Sequence, residues 1–136
     1  MNVLISGNNK KTNFFKHLKN ILEYIQTNSN WKIYLDEYIF IDINNKNKLF
    51  SHSLVSINNN KVNFDLIVSI GGDGAMLSCI RRMKEKQVPI LGIHIGNLGF
   101  LNQCNIDNYK DYMFPIIKNN NILFSKHTLL EAEFIS

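Results

Sequence analysis

The apolar positions change period several times along the chain, and each change marks an expected element. Residues 3–6 form a short continuous apolar run closed by Gly7 and two asparagines, the pattern of a buried strand. Phe14, Phe15, Leu18, Ile21, Leu22 and Ile25 then recur on one helical face, with Thr12 or Asn13 placed as its N-cap. Residues 31–35 and 38–43 are rich in aromatic and β-branched side chains between polar clusters, so both are expected to be extended. The stretch 44–63 holds no period for long; an irregular connection is expected, with a short helix over 49–55. Residues 65–70 give the clearest strand, near-continuously apolar as where helices cover both faces of a parallel sheet. Ala75, Met76, Leu77, Ile80 and Met83 form a helical stripe, with Arg81, Arg82, Lys84, Glu85 and Lys86 on the solvent side and last turn, where cations suit the helix dipole. Residues 89–95 read as the next strand. Ile106, Tyr109, Tyr112, Met113, Ile116 and Ile117 suggest one more helix, which Pro115 would kink or end. Asparagines at 119–121 mark a break, after which 122–124 and 128–135 look extended.

Strands alternating with helices in this order imply an α/β fold: an open, mostly parallel, Rossmann-like sheet flanked by helices. The 136 residues suffice for one compact domain. A 45% hydrophobic and 19% charged composition supports a packed core. The formal charge of +4 would matter if the lysines gathered on one face, but they are scattered among asparagines, so nucleic acid is not an expected partner. Cys79 and Cys104 lack metal-ligand spacing, and Cys79 falls on a helical apolar face as a small buried thiol would. No metal ligands stand out. With no signal peptide and no apolar run of membrane-spanning length, a reducing cytoplasmic setting is expected, without membrane contact.

Candidate chemistry sits where strands end. In open α/β sheets, ligands bind beyond the carboxyl ends of the strands, at the crevice where strand order reverses. The strand at 65–70 runs into Gly71, Gly72, Asp73 and Gly74. Glycines let backbone N–H groups approach phosphate oxygens closely, and the following helix aims its positive end at the same place. Asp73 is unexpected in an anion cradle. Either it caps the helix, or it accepts a hydrogen bond from an attacking hydroxyl or helps to hold a divalent cation. The strand at 89–95 leads to a second glycine loop, Gly96, Asn97, Leu98, Gly99 and Phe100. Its glycines admit an ordinary reading as turn formers, with Phe100 and Leu101 as core anchors. His94 alternates with Ile93 and Ile95 and is read as a hydrogen-bonded sheet histidine rather than a metal ligand.

Taken together, residues 64–77 (FDLIVSIGGDGAML) and 88–101 (VPILGIHIGNLGFL) resemble the paired motifs of the NAD kinase family in order and spacing. The first motif is shared with diacylglycerol and sphingosine kinases and with phosphofructokinases; the Leu-Gly-Phe-Leu segment separates them. His127, Thr128, Leu129, Leu130 and Glu131 resemble the passage leading into that family's second domain. The resemblance implies transfer of the γ-phosphoryl group of ATP to the 2′-hydroxyl of the adenosine ribose of NAD, with Mg²⁺ or another divalent cation accompanying ATP. It implies that Asp73 is the catalytic aspartate, that Gly71, Gly72, Gly74, Gly96, Asn97 and Gly99 line the nucleotide site with it, and that Phe100 lies beside the NAD adenine. Residues 1–121 would then be the nucleotide-binding domain, and 122–136 the first strands of a truncated or missing β-rich domain. The expected partners are NAD, ATP and, in the full-length form, further copies of the chain.

Three positions depart from the family pattern. Ala75 stands where Thr or Asn is usual, and His94 and Asn97 stand at the usual Asn and Arg positions of the second loop. An Asn-Glu pair that the family uses to grip the NAD ribose is not found after Leu130. Weak turnover of NAD by these residues alone is therefore expected. The alternatives are a lipid or sugar kinase sharing the glycine-aspartate loop, or a non-catalytic nucleotide-binding module.

Overall fold

Strand formation begins with the first apolar run, which becomes β1 (Asn2–Gly7), and the amphipathic stripe after it becomes α1 (Phe14–Asn28). The computed structural model describes residues 1–46, 55–57, 62–83, 86–96, 99–101 and 104–119. β2 (Lys32–Asp36) passes without a loop into α2 (Glu37–Lys46), and β3 (Val55–Ile57) and β4 (Leu66–Gly71) follow. α3 (Asp73–Met83), β5 (Ile90–His94), β6 (Cys104–Asn105) and α4 (Tyr109–Asn119) complete the order.

Among the described residues, six strands lie in the order β3-β2-β1-β4-β5-β6, every pair parallel. The chain winds outward from β1 to β3, returns to the other side of β1 as β4, and winds outward again. Strand order therefore reverses between β1 and β4, and the crevice at their carboxyl ends is the expected ligand position for this topology. The start of the same pair is tied as well: Asn2 N–H donates to Asp65 Oδ2 at 2.7 Å, and Asp65 N–H to the Asn2 carbonyl at 2.8 Å.

Two cores result from strand alternation. Val3 and Ile5 of β1, Ile33 and Leu35 of β2, Leu66, Val68 and Ile70 of β4, and Leu91 and Ile93 of β5 pack with α1, α2 and α4. Leu4, Tyr34 and Ile67 point the other way, towards Cys79 of α3. Each isoleucine or leucine fully buried in this way contributes about 1.5–3 kcal/mol relative to exposure.

One expectation fails and another is narrowed. Residues 38–43 are helical rather than extended, because Ile39 and Ile43, one turn apart, are buried while Ile41 faces solvent; burial at that spacing overrides the β preference of the individual side chains. Pro115, expected to kink or end the helix, does not end α4 but lies inside it, between the buried Met113 and Ile116. Packing of those two side chains outweighs the one backbone hydrogen bond that proline removes. Asn13 does stand at the N-cap of α1, in left-handed conformation, but its side chain makes no capping bond. Of the helix expected over 49–55, residues 49–54 lie outside the described residues and Val55 begins β3; the extended segments expected over 122–135 lie outside as well.

Cys104 is buried, and its Sγ donates to the Gly92 carbonyl at 3.4 Å. Burial pushes its thiol up to about 12. An unfolded thiol ionises near 8.5, so this contribution to stability is intact below that pH and is lost as pH rises towards the folded value. Burial raises Tyr24, Tyr38 and Tyr109 too. These tyrosines act equally in parent and variant, so Cys104→Ala should lose less urea resistance than the parent between about pH 8 and about pH 10.5. Equal losses would refute the assignment.

Candidate functional site

At the reversal point, the turns after β1 and β4 are built against each other. Gly7 (φ +151°) and Gly71 (φ +155°) adopt conformations that L side chains rarely take. A Cβ on Gly7 would collide with the Ile70 carbonyl oxygen. That close approach lets Asn8 N–H donate to the same oxygen at 2.9 Å. On the other side of β4, Ile95 N–H donates to the Gly71 carbonyl at 2.8 Å, so the second glycine loop leaves β5 alongside the first.

The two loops then meet at one side chain. Asp73 Oδ2 accepts the N–H of Phe100 at 2.7 Å, and Oδ1 accepts the N–H of Leu101 at 3.0 Å. Such charge-assisted bonds from backbone amides are among the stronger ones available to a carboxylate. Gly99 makes the approach possible, since a Cβ there would collide with Oδ1 and lie 2.6 Å from Cγ. Here glycine is demanded by the carboxylate. Asp73 occupies the first turn of α3, whose opening backbone bond runs from Met76 N–H to the Gly72 carbonyl.

Gly72 and Gly74 differ from their neighbours. A Cβ at either would meet nothing within 4 Å, and neither has positive φ. The fold itself supplies no steric reason for glycine there, and Gly74 inside a helix costs about 0.5–1 kcal/mol relative to alanine. Open space over a glycine backbone at a helix N-terminus is what an anionic ligand needs. Gly96 has φ +90°, sufficient reason for its glycine. The Phe100 ring is fully exposed, held into solvent by a backbone fixed to Asp73. The structure thus brings Gly71, Gly72, Asp73, Gly74, Gly96, Gly99 and Phe100 to one sheet edge; Asn97 lies outside the described residues.

His94 is buried at the end of β5, but neither ring nitrogen has a protein partner, contrary to the hydrogen-bonded histidine expected. Arg82 also departs from its expected place on the solvent side. It is half-exposed, yet its guanidinium forks onto Asp36, with Nη1 to Oδ1 at 2.9 Å and Nη2 to Oδ2 at 2.8 Å, and reaches Ser6 Oγ at 2.9 Å. Hydrogen bonding to Asp36 raises the guanidinium above its usual range. Tyr38 continues the chain of contacts: its hydroxyl donates to the Gly7 carbonyl and accepts from Gly7 N–H at 3.2 Å. The end of α3 is thereby linked through β2 and β1 to the turn at the reversal point. Composition could not reveal these partners, since Arg82 and Asp36 are 46 residues apart.

Among the described residues no group of three or more His, Cys, Asp or Glu side chains could hold a metal ion. No described helix is long and apolar enough to cross a membrane.

A family model of the ATP-NAD kinase N-terminal domain matches residues 3–120. The NAD kinase of Sulfurimonas denitrificans is 39% identical over 71 residues, covering 52% of this chain and 25% of that protein. The NAD kinase of Campylobacter lari is 31% identical over 96 residues, covering 71% of this chain and 34% of that protein. Both matches thus span about a third or less of the relatives' length. Among solved structures, yeast NADH kinase complexed with NADH superposes with a TM-score of 0.72 at 19% identity, over 86% of this chain and 36% of that one. At that identity the likeness establishes the fold.

If Gly99 is the contact that lets the second loop reach Asp73, Gly99→Ala must drive them apart. The amides of Phe100 and Leu101 should then exchange with solvent about tenfold faster or more, with a global loss of about 1–3 kcal/mol from overpacking. Unchanged exchange at both amides would contradict the assignment.

Proposed function

This chain belongs to the NAD kinase family through the N-terminal domain matched by residues 3–120, and we propose that it forms the nucleotide-binding part of an enzyme that phosphorylates NAD. The reaction is transfer of the γ-phosphoryl group of ATP to the 2′-hydroxyl of the adenosine ribose, giving NADP. What carries the reading is the junction at Asp73: a carboxylate at a helix N-terminus, beside glycines whose backbone is open, bonded to the loop that presents Phe100. The family match favours this over a lipid or sugar kinase and over a non-catalytic module.

Phosphoryl transfer usually passes through a loose transition state, so the protein contributes mostly position and electrostatics. The Asp73 carboxylate, which accepts the Phe100 and Leu101 amides, is the group that meets the ribose hydroxyl in this reading. The amides fix the carboxylate's direction. Asp73 therefore orients the hydroxyl first and receives its proton as the new O–P bond forms and the bond to the leaving ADP breaks. Backbone N–H groups around Gly72 and Gly74, with the positive end of α3, face the phosphates. Gly71, Gly96 and Gly99 shape the surrounding turns, Asn97 is assigned to the nucleotide site with them, and the Phe100 ring offers a stacking surface for adenine. A divalent cation accompanying ATP would be held mainly by the phosphates, with one or two carboxylates at most, as is usual for Mg²⁺. The full-length protein is taken to be a cytoplasmic homo-oligomer.

Two substitutions separate ligand space from fold. Gly74→Ala should stabilise the chain by about 0.5–1 kcal/mol while weakening ATP binding in calorimetry; unchanged binding would remove Gly74 from the site. Asp73→Asn in the full gene product should lower kcat for NADP formation by about a hundredfold or more. It should also raise KM for NAD, because an amide NH₂ would face a backbone N–H. Retention of the parent rate would overturn the role given to Asp73.

A further inference from the structure

A row of polar side chains crosses the buried face of the sheet beneath α3. Strand alternation puts Leu4, Tyr34 and Ile67 on that face, so Ser6, Asp36 and Ser69, each two residues further on, share it. In β5, Ile90 packs on the same side, which puts Gly92 and His94 there as well. Register aligns the row: Ser6 pairs with Ser69, Ser69 with Gly92, and Gly71 with His94. All four side chains, of Asp36, Ser6, Ser69 and His94, are buried.

Only half of the row is satisfied by protein groups. Arg82 covers Asp36 and Ser6, whereas Ser69 Oγ and both ring nitrogens of His94 have no protein partner, at 0% and 4% exposure. A buried polar group left without a hydrogen bond is destabilising, and a marginally stable fold does not readily bear several. Gly92, directly across from Ser69, contributes no side chain to the space leading towards His94. Polar atoms on both sides of a position without a side chain are among the requirements for an internal water.

We propose that Ser69 and His94 hold a buried water molecule that joins the roots of the two site loops. Ser69 lies four residues before Asp73, and His94 two before Gly96. The water takes one bond from the Ser69 hydroxyl or gives one to it, and takes or gives another at a His94 nitrogen, locking β4 to β5 where the loops diverge. Ser69 and His94 are thus positioning residues that act on Asp73 and Phe100 through the strand ends. The water site stands on burial and register alone; its bearing on phosphoryl transfer rests on the function proposed above.

A crystal structure of the chain at high resolution tests the site without any activity assay. Density for a water within hydrogen-bonding distance of both Ser69 Oγ and a His94 nitrogen is expected; an empty position, or His94 bonded to protein groups, would overturn it. Variants test the positioning role. Ser69→Ala and His94→Leu should each raise the unfolding equilibrium constant about tenfold, and the double variant should fall well short of a hundredfold, because both groups hold one molecule. His94→Leu should also speed exchange of the Phe100 and Leu101 amides, and His94→Asn, which keeps a polar group there, should restore protection. Ile25→Val, on the opposite core, supplies a control of modest destabilisation that should leave those amides unchanged. Additive effects of the pair, or equal acceleration in the control, would refute the bridge.

Discussion

The capture of the Asp73 carboxylate by two backbone amides of the second glycine loop is the constraint on which the rest of the site depends. One side chain at the start of α3 fixes where Phe100 stands, and one missing side chain at Gly99 permits it. The two loops therefore form a single unit rather than two independent turns. Parallel winding brings them together: β4 and β5 are adjacent, and Ile95 is bonded to Gly71 at the point where both loops begin.

This arrangement alters how Asp73 should be regarded. A helix cap and a catalytic acceptor are usually alternatives, but here the carboxylate has a third task, shaping the loop that presents the aromatic ring. In the proposed function, position and chemistry are coupled through the same two oxygens, so a change at Asp73 would affect nucleotide placement together with reactivity. Support reaches the reversal point from the opposite direction as well, through Arg82, Ser6, Tyr38 and Gly7. The cost of so many polar groups on a buried sheet face is met where Arg82 reaches them.

Much of this was legible in the residues. The apolar run of β4 and its closing glycines announced a parallel sheet and a strand-end site, and the spacing of two glycine loops pointed to the family that residues 3–120 match. Helix α2 was not legible, because aromatic and β-branched residues carry β preference whatever the spacing of Ile39 and Ile43. The stripe of α4 was legible on both sides of Pro115, but whether the proline ended it was not: flanking residues that pack on the core decide that. Long-range partners were out of reach. The contacts of Asp73 with Phe100 and Leu101, and of Arg82 with Asp36, depend on strand order, which no local pattern contains.

The central claim is that the clasped carboxylate, held by the second loop, is what the sugar hydroxyl meets. A crystal structure of the chain with NAD bound tests it most directly. The account requires the adenosine 2′-hydroxyl within about 2.6–3.2 Å of an Asp73 oxygen while the Phe100 and Leu101 amides remain on that carboxylate. A ribose bound elsewhere, or a carboxylate released from both amides when NAD enters, would contradict it.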